Sequence, residues 1–204
     1  MSLASDLAAK PWESKGIIDQ EHPEGAFGMP PEKVALWFFL IVASIIFSLF
    51  MVSYVVRMEL PDWVPLDEPS QLWINTAVLI LSSVLFQWSR NSIENGKTKN
   101  ALIGFTAAGV FAFAFIVAQY MTWLGLRADG FYLYTNPADA FYYLITAVHA
   151  IHLLGGLWVW CKSAIKLARG ASIQELSLSI ELCTMYWHFL LIVWLIIFAV
   201  LANT

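Results

Sequence analysis

Charge is scarce in this chain. Asp, Glu, Lys and Arg make up 13% of its 204 residues, against roughly 25% in an ordinary soluble domain. Eleven basic and fifteen acidic side chains leave a net charge of −4, which excludes the broad basic face that nucleic acid requires. Cysteine is nearly absent too. Cys161 and Cys183 stand far apart with no paired spacing, whereas a thiolate metal site draws about four ligands from close Cys/His groupings. They read as small apolar helix residues. Phosphate-cradling glycine loops are missing, and no nucleophile, base and orienting acid recur in a hydrolytic arrangement. No catalytic residue and no metal site is therefore expected on this chain. Residues 1–32 contain no apolar run and are broken by Pro11, Pro23, Pro30 and Pro31, so they read as a polar tail and not as a signal peptide.

Apolar residues are abundant: 59% of the chain, with ten Trp, 14 Phe and 7 Tyr, and a mean hydropathy of +0.67. A chain this short cannot hide so much apolar surface from water, so its solvent is lipid. Five segments (34–56, 69–89, 100–126, 140–161 and 182–204) contain no Asp, Glu, Lys or Arg, and a membrane span needs about 20 such residues. The connections are short and carry Pro61, Pro65, Asn95, Gly96, Gly130, Asn136, Pro137 and Gly170. The predicted fold is all-α: one bundle of five transmembrane helices over 33–204, after the 1–32 tail. Lys10, Lys15, Lys33, Arg90, Lys97, Lys99, Lys162, Lys166 and Arg169 fall on one side of the alternating spans. Glu59, Asp62, Asp67, Glu68, Asp129 and Asp139 fall on the other. Basic loops stay inside, which predicts a cytoplasmic N-terminus and an outside C-terminus.

Polar side chains within the spans must meet protein or water, because hydrocarbon offers no hydrogen bond. Ser177, Glu181, Thr184 and His188 form one stripe on the last span, and Thr146, His149, His152 and Gly156 another on the fourth. Gly155 and Gly156 are expected to let helices approach closely. The second span adds Asn75, Thr76, Ser82, Ser83 and Gln87, the third Ala108, Ala112, Gln119 and Thr122, and the first only Ser44, Ser48 and Ser53. A bis-histidine haem needs facing ligands at matched depth, and zinc would want a fourth ligand that only Glu181 could supply. The histidines are read instead as hydrogen-bonding residues joining adjacent helices, in one polar network of Gln119, His149, His152, Glu181 and His188. Carboxylates that mark ion paths and paired Gly/Pro breaks of transport helices are lacking, which argues against an autonomous pump. Trp12, Trp37, Trp63, Trp73, Trp88 and Trp123 near the span ends predict phospholipid held in surface grooves. Arg90, Lys97 and Lys99 are candidate headgroup contacts.

The segment Tyr186-Trp187-His188-Phe189 with Trp194 resembles the last helix of subunit III of the haem-copper respiratory oxidases. His149-Ala150-Ile151-His152-Leu153-Leu154-Gly155-Gly156-Leu157 is similar to the preceding helix of that family. Leu72-Trp73-Ile74-Asn75-Thr76 with Ser82-Ser83, Gln119 with Trp123, and Lys33 with Trp37 resemble the earlier helices, in order, over residues 33–204. The resemblance implies a five-helix bacterial form in the cytoplasmic membrane. It further implies a non-catalytic partner of catalytic subunit I and of subunit II, which carry the haem and copper. Bound phospholipid, support of oxygen reduction and proton pumping by the catalytic subunit, and membership of a larger respiratory supercomplex are implied as well. Two positions depart from the pattern: Ala43 and Leu191 stand where many relatives carry carboxylates. A subunit of a quinol oxidase, a nitric-oxide reductase accessory protein and a freestanding channel or carrier remain alternatives. The acidic loop (Glu59, Asp62, Asp67, Glu68) is an ordinary solvated loop or part of a negative field for a basic electron donor.

Overall fold

A computed structural model describes residues 29–65, 69–169 and 173–203. The tail expected over 1–32 falls largely outside these residues, as do Asp67, Glu68 and Gly170. Among the described residues the secondary structure is five helices: α1 (Pro31–Met58), α2 (Gln71–Glu94), α3 (Thr98–Ala128), α4 (Pro137–Ala168) and α5 (Ile173–Leu201). Each is long and apolar enough to cross a membrane.

Local chemistry explains the boundaries. Pro31 occupies the first helical position, where its missing N–H is no loss, and the Pro30 carbonyl accepts from the Lys33 and Val34 amides. Thus Pro31 and Glu32, assigned to the tail from sequence, begin α1. Helices α2 and α3 both end in the same cap. Gly96 (φ 70°) and Gly130 (φ 92°) take the left-handed conformation. Behind them Lys97 N–H reaches Ser92 O and Phe131 N–H reaches Leu126 O, the paired closure that satisfies a helix's last carbonyls. Helix α4 starts at Asn136, whose Oδ1 accepts from the Ala138 amide at 3.2 Å, with proline next. The same Asn136 amide donates to Val64 O, tying the first connection to α4.

The helices run beyond the charge-free segments. Helix α2 continues through Arg90 to Glu94 and α4 through Lys162 and Lys166. Absence of charge marks what hydrocarbon tolerates, whereas backbone hydrogen bonding continues into the headgroup layer. Arg90 Nε meets Glu94 Oε1 at 3.0 Å, four residues on, a pairing that supports the exposed last turn.

Helices α2 and α3 pack most extensively, and α5 and α4 close onto them. The buried positions of α2 are Leu72, Asn75, Thr76, Leu79, Ser82, Ser83, Phe86, Ser89, Ser92 and Ile93, which repeat at three and four residues, the spacing of a helix-packing seam. The facing side of α3 presents Ala101, Gly104, Ala108 and Ala112, and these small residues let the backbones come close. Ser82 Oγ donates to Ala108 O at 2.8 Å and Ser89 Oγ to Ala101 O at 2.6 Å. Without hydrophobic driving force between helices in lipid, close packing and such bonds carry the association. Helix α1 differs: only Leu40, Ala43, Phe47 and Tyr54 are buried, and the rest of its apolar surface is open to lipid or a partner.

Candidate functional site

Toward the end of the bundle that carries Arg127 and Asp129, four side chains meet. Asn75 Nδ2 donates to Gln119 Oε1 at 3.0 Å and to Thr122 Oγ1 at 3.2 Å, and Gln119 Nε2 donates to Tyr142 Oη at 3.2 Å. Asn75 and Tyr142 are 0% and 1% exposed, so this amide–amide–phenol chain is sealed from water. It joins α2, α3 and α4 at one level. Two flanking bonds extend it: Trp194 Nε1 donates to Thr76 Oγ1 at 2.9 Å, bringing in α5, and Trp123 Nε1 donates to Thr146 Oγ1 at 3.2 Å. Gln119 was singled out from sequence, but Asn75, Thr122, Tyr142 and Trp194 form its setting, and of these Tyr142 had no polar-stripe signal.

The histidines behave otherwise than expected. The His152 ring nitrogen Nδ1 lies 2.8 Å from Val148 O, and that of His188 lies 2.8 Å from Thr184 O, each on its own helix. Neither joins adjacent helices through that nitrogen. His149 is fully buried, and neither of its ring nitrogens has a hydrogen-bond partner among the described residues. Its neighbours are rings: Trp194 at 5.2 Å, Phe47 at 6.2 Å and Phe115 at 6.2 Å between centroids. The single network expected of Gln119, His149, His152, Glu181 and His188 is thus resolved into separate parts. The physical reason is reach: an imidazole near the backbone finds the preceding turn's carbonyl before it spans to another helix. Cross-helix contact at His152 is made by tilted ring contacts with Phe47 at 5.1 Å and Phe39 at 6.0 Å between centroids. The carbonyl of His152 also accepts from Tyr186 Oη at 2.8 Å.

Glu181 lies at the opposite end, 3.5 Å from Arg90 Nη2. Arg90 is therefore engaged by Glu94 and Glu181, while Lys97 and Lys99 are exposed. Of the two adjacent glycines only Gly156 marks a close approach. A Cβ there would sit 2.6 Å from Tyr186 Cε1 and 2.7 Å from Trp187 Cζ3, whereas one at Gly155 would meet nothing within 4 Å. Gly104 and Gly109, unremarked in the sequence, are also packing sites: Gly104 lies against Trp88 and Ser89, and Gly109 beneath the Trp160 indole. Ala43 is buried and Leu191 half-buried. Phe39, Ala43 and Phe47 share one face of α1, so position 43 lies between the two rings that contact His152.

Two loop acids also separate. Asp62 is exposed and receives both Arg57 guanidinium nitrogens, at 2.7 and 2.5 Å, which hold its carboxyl below the usual carboxylate range. Asp139, counted from sequence with the outer acidic loops, is 1% exposed in the first turn of α4. Neither of its carboxyl oxygens has a hydrogen-bond partner among the described residues, so burial there opposes the negative charge that the helix N-terminus favours. Among the described residues no group of three or more His, Cys, Asp or Glu could hold a metal ion. What the arrangement does chemically is fasten helices to one another, leaving wide apolar faces outside.

Comparison with known proteins places this arrangement. A family model described as cytochrome c oxidase subunit III matches residues 34–202. A protein named cytochrome c oxidase subunit 3 from Tetraodon nigroviridis is 29% identical over 138 residues, covering 66% of this chain and 51% of the relative. The protein of the same name from Schizophyllum commune is 26% identical over 137 residues, covering 67% and 50%. That from Squalus acanthias is 28% identical over 137 residues, covering 66% and 50%. The chain spans about half the length of these relatives. With the family model covering all five helices and the paired polar seams between them, the chain belongs to the cytochrome c oxidase subunit III family.

Proposed function

We propose that this protein is the non-catalytic membrane subunit III of a cytochrome c-type terminal oxidase. It sits in a bacterial cytoplasmic membrane with its N-terminus inside and its C-terminus outside. The observation that carries the reading is the family match along 34–202, on a bundle whose interior amides and hydroxyls bond one another. Groups engaged in that way fasten helices to one another, which supports a structural role for them. Catalytic subunit I and subunit II supply the haem and copper, reduce oxygen and pump protons. This chain supports that turnover as a scaffold and holds phospholipid against the complex. Membership of a larger supercomplex fits the breadth of its lipid-facing surface. The alternation of Lys- and Arg-rich connections with acidic ones supports the orientation, and the open surface of α1 supports a partner or lipid contact there.

Purification through an affinity tag on this chain in mild detergent, with an absorption spectrum of the eluate, tests the proposal. Haem a bands and a co-purifying catalytic subunit are expected. Haem o bands with quinol-driven turnover would reassign the complex as a quinol oxidase. Recovery of the chain without any haem protein, together with solute flux in liposomes, would overturn the subunit reading.

A further inference from the structure

The groove between α3 and α4 has a volume of about 360 Å³ and is lined by Val110, Phe113, Leu154, Trp158, Trp160 and Cys161. Its shape follows from a single packing event. Gly109 admits the Trp160 indole, whose N–H donates to Phe105 O at 2.9 Å. That bond holds the indole inward as one wall while Trp158, 65% exposed, stands outward as the other. Over the Trp158 ring, 5.2 Å from its centroid, lies the Lys162 ammonium. Lys166 follows one turn later, and both lysines are exposed. Among the described residues no carboxylate forms an ion pair with Lys162 or Lys166, in contrast to Arg57 with Asp62 and Arg90 with Glu94 and Glu181.

Depth adds a second constraint. The 22 residues of the charge-free run 140–161 end immediately before Lys162, so its ammonium is the first charge at the boundary between hydrocarbon and headgroups. An ammonium resting on an indole face retains N–H groups for a further acceptor. The groove therefore presents an apolar slot with the Lys162 ammonium over one wall and the exposed Lys166 one helical turn beyond it. Arg90, by contrast, meets two carboxylates, and Lys99 stands one turn from a more open apolar surface of α3 at Leu102, Ile103 and Val110, with no indole beneath its ammonium among the described residues.

We propose that the α3–α4 groove is the binding site of one anionic glycerophospholipid, an acyl chain along the slot and its phosphate on Lys162 and Lys166. This deepens the reading of the chain as a lipid-holding membrane subunit and rests on it. Any lipid can cover apolar surface, so the charge is what selects. Basic residues near a membrane surface favour anionic lipid by about five-fold each, which gives a preference above ten-fold for the pair.

The test uses the complex as purified, in nanodiscs of mixed phosphatidylglycerol and phosphatidylcholine. One lipid at a time bears a photoreactive diazirine on its acyl chain, and adducts are mapped by peptide mass spectrometry. Labelling of residues 110–113 and 154–161 by phosphatidylglycerol should exceed that by phosphatidylcholine at least ten-fold. Lys162→Gln with Lys166→Gln should bring the two lipids level, and Lys97→Gln with Lys99→Gln should change nothing. Val110→Trp, which fills the slot, should lower labelling by both lipids. Equal labelling in the unmodified protein, a preference that survives the Lys162/Lys166 exchange, or adducts only to a neighbouring subunit would each overturn the proposal. The absorption spectrum of the same preparation reports separately on the subunit reading, because loss of haem there leaves the lipid map interpretable.

Discussion

Gly155 and Gly156 are adjacent, chemically identical and lipid-embedded, yet alanine should act on them in opposite directions. At Gly156 the new methyl would lie 2.6 and 2.9 Å from Tyr186 Cε1 and Cδ1 and 2.7 Å from Trp187 Cζ3. Carbon atoms rest at about 3.5–4.0 Å, so α4 and α5 must part by roughly 1 Å. The rings cannot swing clear: Trp187 is fully buried and the Tyr186 hydroxyl is held by His152 O. Overpacking of this kind costs about 1–3 kcal/mol, and alanine's better helix propensity returns at most about 1 kcal/mol. Gly156→Ala should therefore lose up to about 2 kcal/mol net even after the full propensity gain. At Gly155 nothing lies within 4 Å, so only the propensity gain remains and the variant should be as stable as the parent or up to about 1 kcal/mol more so. Equilibrium unfolding in mixed micelles, followed by circular dichroism, measures both. Equal effects of the two substitutions, or a Gly156→Ala protein no less stable than the parent, would refute the packing argument.

The remaining predictions concern the polar groups. A double-mutant cycle of Asn75→Ala and Gln119→Ala should give a coupling of about 0.6 kcal/mol, and no more than about 1.7 kcal/mol, the range for hydrogen bonds between membrane helices; additive single effects would show that the bond contributes nothing. His149→Phe should cost under about 1 kcal/mol, because the ring gives up no hydrogen bond to the described residues, while His149→Ala should cost about 3 kcal/mol for the cavity left behind. If phenylalanine proves as damaging as alanine in the same unfolding assay, the imidazole has a polar role after all. The Arg57–Asp62 pair depresses the Asp62 carboxyl, so its contribution is complete above the ordinary carboxylate value of about 4 and fades as pH falls through the lowered folded value. Amide exchange over residues 58–63, corrected for intrinsic rates, should hold steady down to pH about 5 and rise below about 4. The Asp62→Asn protein should lack that step, and an identical step in it would assign the change to another group.

Much of the fold was legible because lipid imposes a simple rule. A stretch without charge long enough to cross hydrocarbon must satisfy its own backbone, and only a helix does so within one segment. The segments 34–56, 100–126 and 140–161 thus lie inside α1, α3 and α4, while 69–89 begins two residues before α2 and 182–204 runs past the end of α5 at Leu201. Their ends were misjudged where the helices run on through Arg90–Glu94 and Lys162–Lys166, since charge sets depth and not helicity. Spacing also showed part of the polar faces: Asn75, Thr76, Ser82 and Ser83 on α2, and Gln119 and Thr122 on α3, are buried, whereas Gln87 is half-buried against Asn91 of its own helix and Ser44, Ser48 and Ser53 are exposed.

By itself, then, the sequence determined class, number of spans, order of motifs and the faces that pack, because each follows from composition or from the helical period. Only the tertiary structure decided which polar groups become partners. Asn75 and Gln119 are 44 positions apart, and their bond depends on the depth and rotation of two helices. The same holds for Arg90 and Glu181 and for the choice of Gly156 over Gly155. Helical periodicity assigns a residue to a face, but the ångström or two that separates a bond from a vacant contact is set by how the neighbouring helix is rotated and raised, and no local pattern records that.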